Sequence, residues 1–326
     1  MLGQDSKIST SLESKLKNYL NLYWLRPENG LMMAFKSKAF EKLKIESPSL
    51  EISCGDGLFF AIHSDGIFDE NFDYFKSTRA KQFTQDSIDK STKYADLYDT
   101  CNENYTVPYV QKPTIQFDYG TDWKQGLLDK ASKANTHKNL ILHDNNKIPF
   151  PFSDNFFQTI YSNSIYHTAS KANSDKLLSE IYRITKPGGS VGLEVLTPFW
   201  FDTLVEMEKY FDEDAIGIFD RKRRAIMPGR QTHAEWNEKI KRAGFKIDEA
   251  ISVYPNKILL DIYNVGLRPI AHLLIQMADN LSLEDRTRIK QEWVNIFYRM
   301  FKPLLSVNQS YTLDNSPYIY YLLKKE

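Results

Sequence analysis

Leu12, Leu16, Leu20 and Trp24 recur at every fourth position, the spacing of one face of an amphipathic helix. "RPENG" interrupts that period, and Leu31, Phe35, Ala39 and Leu43 then mark a second helical face. "SPSLEISCGDG" reads as a turn, a short apolar strand and a glycine loop. Residues 64–112 are rich in Asp, Lys, Ser and Tyr and hold no sustained period, so they are read as an insertion of irregular structure and short helices. From residue 113 the period switches back and forth. "TIQFDYGTDW", "NLILHDN", "FFQTIYSNS" and "SVGLEVLTP" predict strands; "KQGLLDKASK" and "SDKLLSEIYRITK" predict helices, the second stopped by "PGG". Further on, "THAEWNEKIKRAGF" predicts a helix with a capping box of Thr232 and Glu235 and a terminal Gly244. "KIDEAISVY" predicts a strand, residues 257–303 a helical stretch broken at "GLRP", and "SPYIYYLLKK" a closing strand.

Strands alternating with helices imply an α/β fold, a largely parallel sheet with helices on both faces. Such sheets bind ligands at the carboxyl ends of their strands. The pattern divides the chain into an N-terminal helical extension (1–45), a core (46–256) with its insertion at 64–112, and a helical cap with a closing strand (257–326).

Composition narrows the partners. Lys+Arg and Asp+Glu are equal, at 42 each among 326 residues, so charge gives no reason to expect nucleic acid or an anionic membrane surface. The first twenty residues lack the apolar core of a signal peptide, and no stretch approaches eighteen uninterrupted apolar residues. A soluble, cytoplasmic protein without a membrane span is expected. Cys54 and Cys101 have no CxxC partner, so neither a zinc site nor a disulfide framework is expected.

The glycine loop carries the first candidate chemistry. Gly55 and Gly57 between a strand and a helix allow backbone N–H groups to approach a ligand without Cβ obstruction. A plain turn would use the same Gly-Asp-Gly, and a dinucleotide fingerprint fails because Phe60 stands where its third glycine belongs. Asp122 ends the next strand, where an acid can take ribose hydroxyls or simply cap a helix. Asp144 and Asn145 end the strand after it, facing an adenine edge or forming an ordinary turn.

With these motifs in this order the chain resembles the class I S-adenosylmethionine-dependent methyltransferases of the broad small-molecule group. The motifs are "EISCGDG", "YGTDW", "LILHDNNKIPFPFSDNFF", "QTIYSNSIYH" and "LLSEIYRITKPGG". The resemblance covers 49–62 and 114–197, and more loosely 232–255. It implies a Rossmann-like sheet and S-adenosylmethionine as cofactor. It also implies roles: Glu51, Ser53, Gly55 and Gly57 shape the loop against the methionine part. Asp122 holds the ribose, with Trp123 beside the adenine. Asp144 takes the adenine amino group, and Asn145 offers its backbone N–H. Ser162 and Asn163 lie near the sulfonium, and Pro187-Gly188-Gly189 is structural. There are two departures from the pattern: Ser53 replaces the first loop glycine, and Asp122 stands 65 residues beyond Gly57. Asp73 is nearer, but no apolar strand precedes it.

His167 follows the fourth strand, where a base could take a proton from an alcohol acceptor; packing or capping is the plainer use. His63 and His143 flank cofactor motifs and read as structural, and His233 and His272 as solvated or core. Tyr23 and Arg26, in "YWLRPENG", are candidates for an anionic group, with an aromatic hinge as the alternative. "RKRR" at 221–224 is a phosphate site or a solvated basic loop. Leu259, Ile262, Leu267 and Ile270 are expected to roof an acceptor pocket with Tyr263 and Arg268, or to serve a homodimer contact. The acceptor is expected to be a small molecule, a sugar or another ring-bearing metabolite. An NAD(P)-dependent oxidoreductase and a non-catalytic binding protein on the same fold remain as rival readings.

Overall fold

The computed structural model describes residues 3–77, 105–163, 173–220 and 230–326, with side chains from Leu12 onward. His167, "RKRR", Cys101 and much of the insertion lie outside the described residues.

Two helices open the chain, α1 (Gly3–Leu22) and α2 (Pro27–Phe40). The second begins earlier than the hydrophobic period suggests. Pro27 supplies a φ already suited to a helix start, so "PENG" forms the first turn of α2 instead of a break before it. Nearly every position of α2 is buried, so it lacks the polar face of a surface helix.

Among the described residues nine strands follow: β1 (Ser49–Ile52), β2 (Ile67–Phe68), β3 (Tyr109–Gln111), β4 (Phe117–Asp122), β5 (His137–Leu142), β6 (Phe157–Ser162), β7 (Thr185–Leu196), β8 (Phe245–Ser252) and β9 (Tyr318–Lys325). Seven of them form one sheet in the order β5-β4-β1-β6-β7-β9-β8. The pairs β1–β4, β1–β6, β4–β5 and β6–β7 are parallel, whereas β9 runs antiparallel between β7 and β8. The chain moves outward from β1 on one side and then returns to build the other side. Order therefore reverses at β1, and the crevice at the carboxyl ends of β1, β4 and β6 is the place for a ligand. The insertion adds one element the sequence pattern did not show, the antiparallel pair β2–β3.

Burial explains the strands with weak alternation. On β9, Tyr318 and Tyr320 pack into the core shared with the N-terminal helices, while Ile319, Tyr321 and Leu323 pack into the core on the other face. A strand buried on both faces has no polar side to alternate with. "PGG" also differs from expectation. The helix Ser174–Ile184 stops before it, and Pro187, Gly188 and Gly189 lie in the first part of β7, where the register with β6 shifts.

Beyond β7 the chain forms helices at Asp202–Met207 and Glu213–Asp220. The stretch after β8 divides into Lys257–Val265, a short 3-10 turn at Arg268–Ile270, Ala271–Asp279 and Leu283–Phe301. The run Lys257–Asp279 is long and apolar enough by composition to cross a bilayer, although polar residues interrupt it throughout. In this fold it is split at Gly266–Pro269 and packs against the core through Leu259, Leu260 and Ile275.

Candidate functional site

The loop after β1 turns on three residues with positive φ: Ser53 (59°), Gly55 (59°) and Gly57 (73°). The three are held there for different reasons. A Cβ on Gly57 would lie 2.3 Å from Thr136 Oγ1, so the loop packs too closely for any side chain. A Cβ on Gly55 would meet nothing within 4 Å. Glycine is required at 55 by the backbone, and the open space above it is a cradle that a ligand can enter. Ser53 accepts the left-handed conformation at a cost of about 1 kcal/mol, and its Oγ receives a hydrogen bond from Asn145 Nδ2 at 2.6 Å.

Asp122, at the carboxyl end of β4, is brought to the same loop. One carboxylate oxygen accepts the Gly55 N–H at 3.1 Å and the other accepts the Lys124 N–H at 3.0 Å. Burial pushes its carboxyl above the ordinary carboxylate range, and the backbone N–H groups of Lys124 and Gly55 oppose that shift. Each oxygen keeps further lone pairs for ligand hydroxyls. Asp73, the rejected alternative, is far from this role. It accepts from Trp24 Nε1 at 3.1 Å and pairs with Arg286 on the late helix Leu283–Phe301.

The pair after β5 divides its work differently from expectation. Asp144 turns its carboxylate onto its own turn, accepting the Asn146 N–H at 2.9 Å. Asn145 is the buried member: its Nδ2 holds Ser53, and its Oδ1 has no hydrogen-bond partner. A buried amide oxygen without a partner costs free energy unless a ligand or water meets it. Trp123 is 37% exposed, with the Lys124 ammonium 5.2 Å from its ring centre.

Glu51 does not line the loop. It points into the sheet face and accepts from His137 Nε2 at 2.9 Å. Burial raises its pKa, and the His137 bond opposes the shift. Glu51 therefore supports the loop from beneath. Cys54, also buried, has its thiol pushed well up, by burial first and then by the Glu51 and Asp122 charges, which keeps it neutral.

At the end of β6, Ser162 is fully buried with an unpartnered Oγ, and Asn163 receives a hydrogen bond from Lys36. The candidates further out are less available than expected. Tyr23 is buried edge-on against Tyr74, and the Arg26 guanidinium is buried with Glu28 and Asn29, so its charge is already matched. Tyr263 is buried against Trp200, whose segment follows β7. Leu259 is buried as the roof requires, but Ile270 is 43% exposed, because the 3-10 turn at Arg268–Ile270 directs it outward.

Sequence reasoning missed Lys36 and Glu194, which form a buried pair at 2.9 Å. A signal was present. Each is an ionisable residue inside an apolar run, "MMAFKSKAF" and "SVGLEVL", where an unpaired charge could not persist.

The sheet order and the loop geometry define a nucleotide-type cofactor site at the carboxyl edge of a class I methyltransferase fold. The family model for a methyltransferase domain matches residues 101–193, a range that starts ahead of β3 and ends within β7. Residues 101–193 therefore carry a methyltransferase domain, with S-adenosylmethionine as its cofactor. No curated protein matches the sequence. Solved structures with a similar course include a methyltransferase from Thermotoga maritima, at 12% identity over 98% of this chain and 100% of that one, with a TM-score of 0.44. Another is from Mesorhizobium loti, at 12% identity over 88% and 95%, with a TM-score of 0.42. A third is a phosphoethanolamine N-methyltransferase 2 from Haemonchus contortus, at 15% identity over 95% of this chain and 60% of that one, with a TM-score of 0.43. The assignment rests on the strand order and the family match.

The residues present fit this cofactor. The cradle over Gly55 admits a ligand, Asp122 retains lone pairs, and Asn145 and Ser162 carry buried oxygens in need of partners.

Proposed function

We propose that this enzyme methylates a small molecule, a sugar or another ring-bearing metabolite, and acts in the cytoplasm. The observation that carries the small-molecule reading is the placement of added helices beside the carboxyl edge. Helix Lys257–Val265 packs on α2 and on the segment after β7, with Tyr263 against Trp200 at 4.9 Å between ring centres. An enclosing aromatic wall suits a compact acceptor better than a polymer.

S-adenosylmethionine supplies an electrophilic methyl group when bound. The chain's own residues then have three tasks. Asp122 and the Gly55 backbone fix the ribose end, and Asn145 meets the base. The buried end of β6 sets the approach of the acceptor, since holding reacting atoms in line removes much of the entropic barrier. The helices around Tyr263 and Arg268 exclude water and select the acceptor. For an alcohol acceptor, His167 is the proposed proton acceptor.

Calorimetry tests the cofactor part. S-adenosylhomocysteine should bind and NAD should not. Asp122→Asn should weaken binding by about 1–3 kcal/mol, the range for hydrogen bonds to a charged group. Changes at Tyr263 or Arg268 should lower transfer to the acceptor while cofactor affinity holds. Light scattering on the same variants tests the homodimer alternative, which requires a change in mass with transfer unaffected.

A further inference from the structure

A second polar cluster lies on the same face of the sheet as Glu51. Lys36 of α2 is 2% exposed, and its Nζ stands 2.9 Å from Glu194 Oε2. The Tyr318 hydroxyl donates to that same oxygen at 2.6 Å. The ammonium sits 5.3 Å from the Phe59 ring centre and 5.5 Å from that of Tyr318. It also donates to Oδ1 of Asn163, the first residue after β6. A buried ion pair carries a desolvation cost that apolar residues of similar volume would avoid. Its presence at the end of β6 calls for a use other than stability. A further observation points to a ligand here: Ser162 Oγ, on the residue before Asn163, is fully buried and lacks a hydrogen-bond partner.

The chemistry of the ammonium settles the orientation of Asn163. A lysine ammonium has donors only, so the group it meets must be the amide oxygen. The amide NH2 is then the end left for a ligand, and it makes no hydrogen bond among the described residues. Resting on the methyltransferase reading above, we infer that Lys36 and Glu194 are positioning residues that make Asn163 present donors to the methyl acceptor, and that the accepting atom is an oxygen.

The reason lies in how charge develops. A nitrogen nucleophile becomes cationic as it is methylated, and its N–H groups then call for carbonyl or carboxylate oxygens. The oxygen of Asn163 is already engaged by Lys36. An oxygen nucleophile keeps spare lone pairs that amide N–H groups can hold in line. One of its lone pairs forms the new O–CH3 bond as the S–CH3 bond breaks, and that bonding pair stays on sulfur, turning the sulfonium into a neutral thioether. A carboxylate acceptor loses no proton. A hydroxyl acceptor gives up its proton to the base proposed above.

The test uses the full chain, S-adenosyl-[methyl-3H]methionine, and three probes: benzoate, phenol and benzylamine. Transfer to benzoate or phenol should exceed transfer to benzylamine by at least tenfold, and which oxygen probe leads separates carboxylate from hydroxyl. In Asn163→Asp a carboxylate still receives Lys36 but offers no donors. The oxygen-to-amine ratio should then fall at least tenfold, the ratio being taken at saturating S-adenosylmethionine so that any change in cofactor affinity cancels. Lys36→Met frees the amide to rotate and should lower the ratio at least fivefold. Should Lys36→Met fail to fold, Asn163→Asp carries the test alone. A preference for benzylamine, no transfer to either oxygen probe, or a ratio unchanged in the folded variants overturns the inference. Absence of S-adenosylhomocysteine binding to wild type would overturn the methyltransferase reading itself, so the two failures are distinct.

Discussion

The two halves of this molecule are held by different means. Around the glycine loop the working parts are backbone: positive φ at Ser53, Gly55 and Gly57, and the Gly55 N–H on Asp122. Across the remaining face the parts are long charged side chains drawn from distant points of the chain. Lys36 meets Glu194 and Asn163, and Arg286 and Lys290 reach back from the late helix to the segment around Asp73. Backbone geometry tolerates little change in shape but contains few charges to lose. The side-chain half has the opposite weakness, because removing one member leaves another charge buried and unmatched.

The largest expected effect tests the second half of that contrast. Asp73→Ala removes the partner of Arg286, whose side chain is 4% exposed, and removes the acceptor of the Trp24 indole. Asp279, at 3.3 Å from Arg286, remains as partial compensation. A loss of about 3–5 kcal/mol is expected in urea denaturation, as for other broken buried pairs. Cofactor affinity of the folded fraction should stay unchanged. A loss below about 1 kcal/mol would mean the tie is not a stabilising element.

The glycines come next and separate packing from strain. Gly57→Ala must displace Thr136, whose Oγ1 would sit 2.3 Å from the new Cβ, and must hold a φ of 73°. Strain and overpacking together should cost about 2–4 kcal/mol. Gly55→Ala meets no atom and should cost about 1 kcal/mol. Its methyl group enters the cradle, so it should weaken S-adenosylhomocysteine binding at least as much as it destabilises the fold. Equal stability losses in the two variants would erase the distinction drawn between them.

This half was largely legible in the sequence, and the reason is locality. Strand, glycine loop and helix occur within "SLEISCGDGLFF", so composition and spacing carry the turn. Asp122 was legible because a strand ends at it, even across the insertion. Lys36 and Glu194 are separated by nearly half the chain, and nothing local to either one names the other. Arg26 is the opposite case, since the residue that closes on it, Glu28, stands two positions away in the same "RPENG". The burial of β9 on both faces could not be read from its own eight residues, since alternation is lost when both sides are core.

Lys290 sharpens the contrast through pH. It donates to the backbone carbonyls of Glu70 (2.7 Å) and Phe72 (2.6 Å), and burial pushes its pKa down to about 8, against the pull of Asp73 and Asp69. With a folded pKa below the unfolded value near 10.4, the unfolded chain binds more protons between about pH 8 and 10.4. Stability should therefore rise with pH across that window, by about 3 kcal/mol in full, and stay flat with respect to this group below it. Lys290→Met should abolish the rise in urea midpoints measured from pH 7.5 to 10. An identical pH dependence in the variant would assign the effect elsewhere.

The smallest expected effect is the most informative about the loop. Ser53 stands where the family pattern has glycine, and two contributions of similar size meet there. Its left-handed φ of 59° costs about 1 kcal/mol, and its bond to Asn145 Nδ2 at 2.6 Å returns about 1 kcal/mol. Ser53→Gly relieves the first and loses the second, while glycine adds freedom to the unfolded chain worth about another 0.5–1 kcal/mol. The net change in urea denaturation should stay within about 1 kcal/mol. Asn145→Ala removes the bond and leaves the strain, so it should cost more than Ser53→Gly, and in the double variant the bond is lost only once. If Ser53→Gly alone costs more than about 2 kcal/mol, the serine hydroxyl and not the backbone holds this end of the loop, and the division between a backbone half and a side-chain half begins one residue later than drawn here.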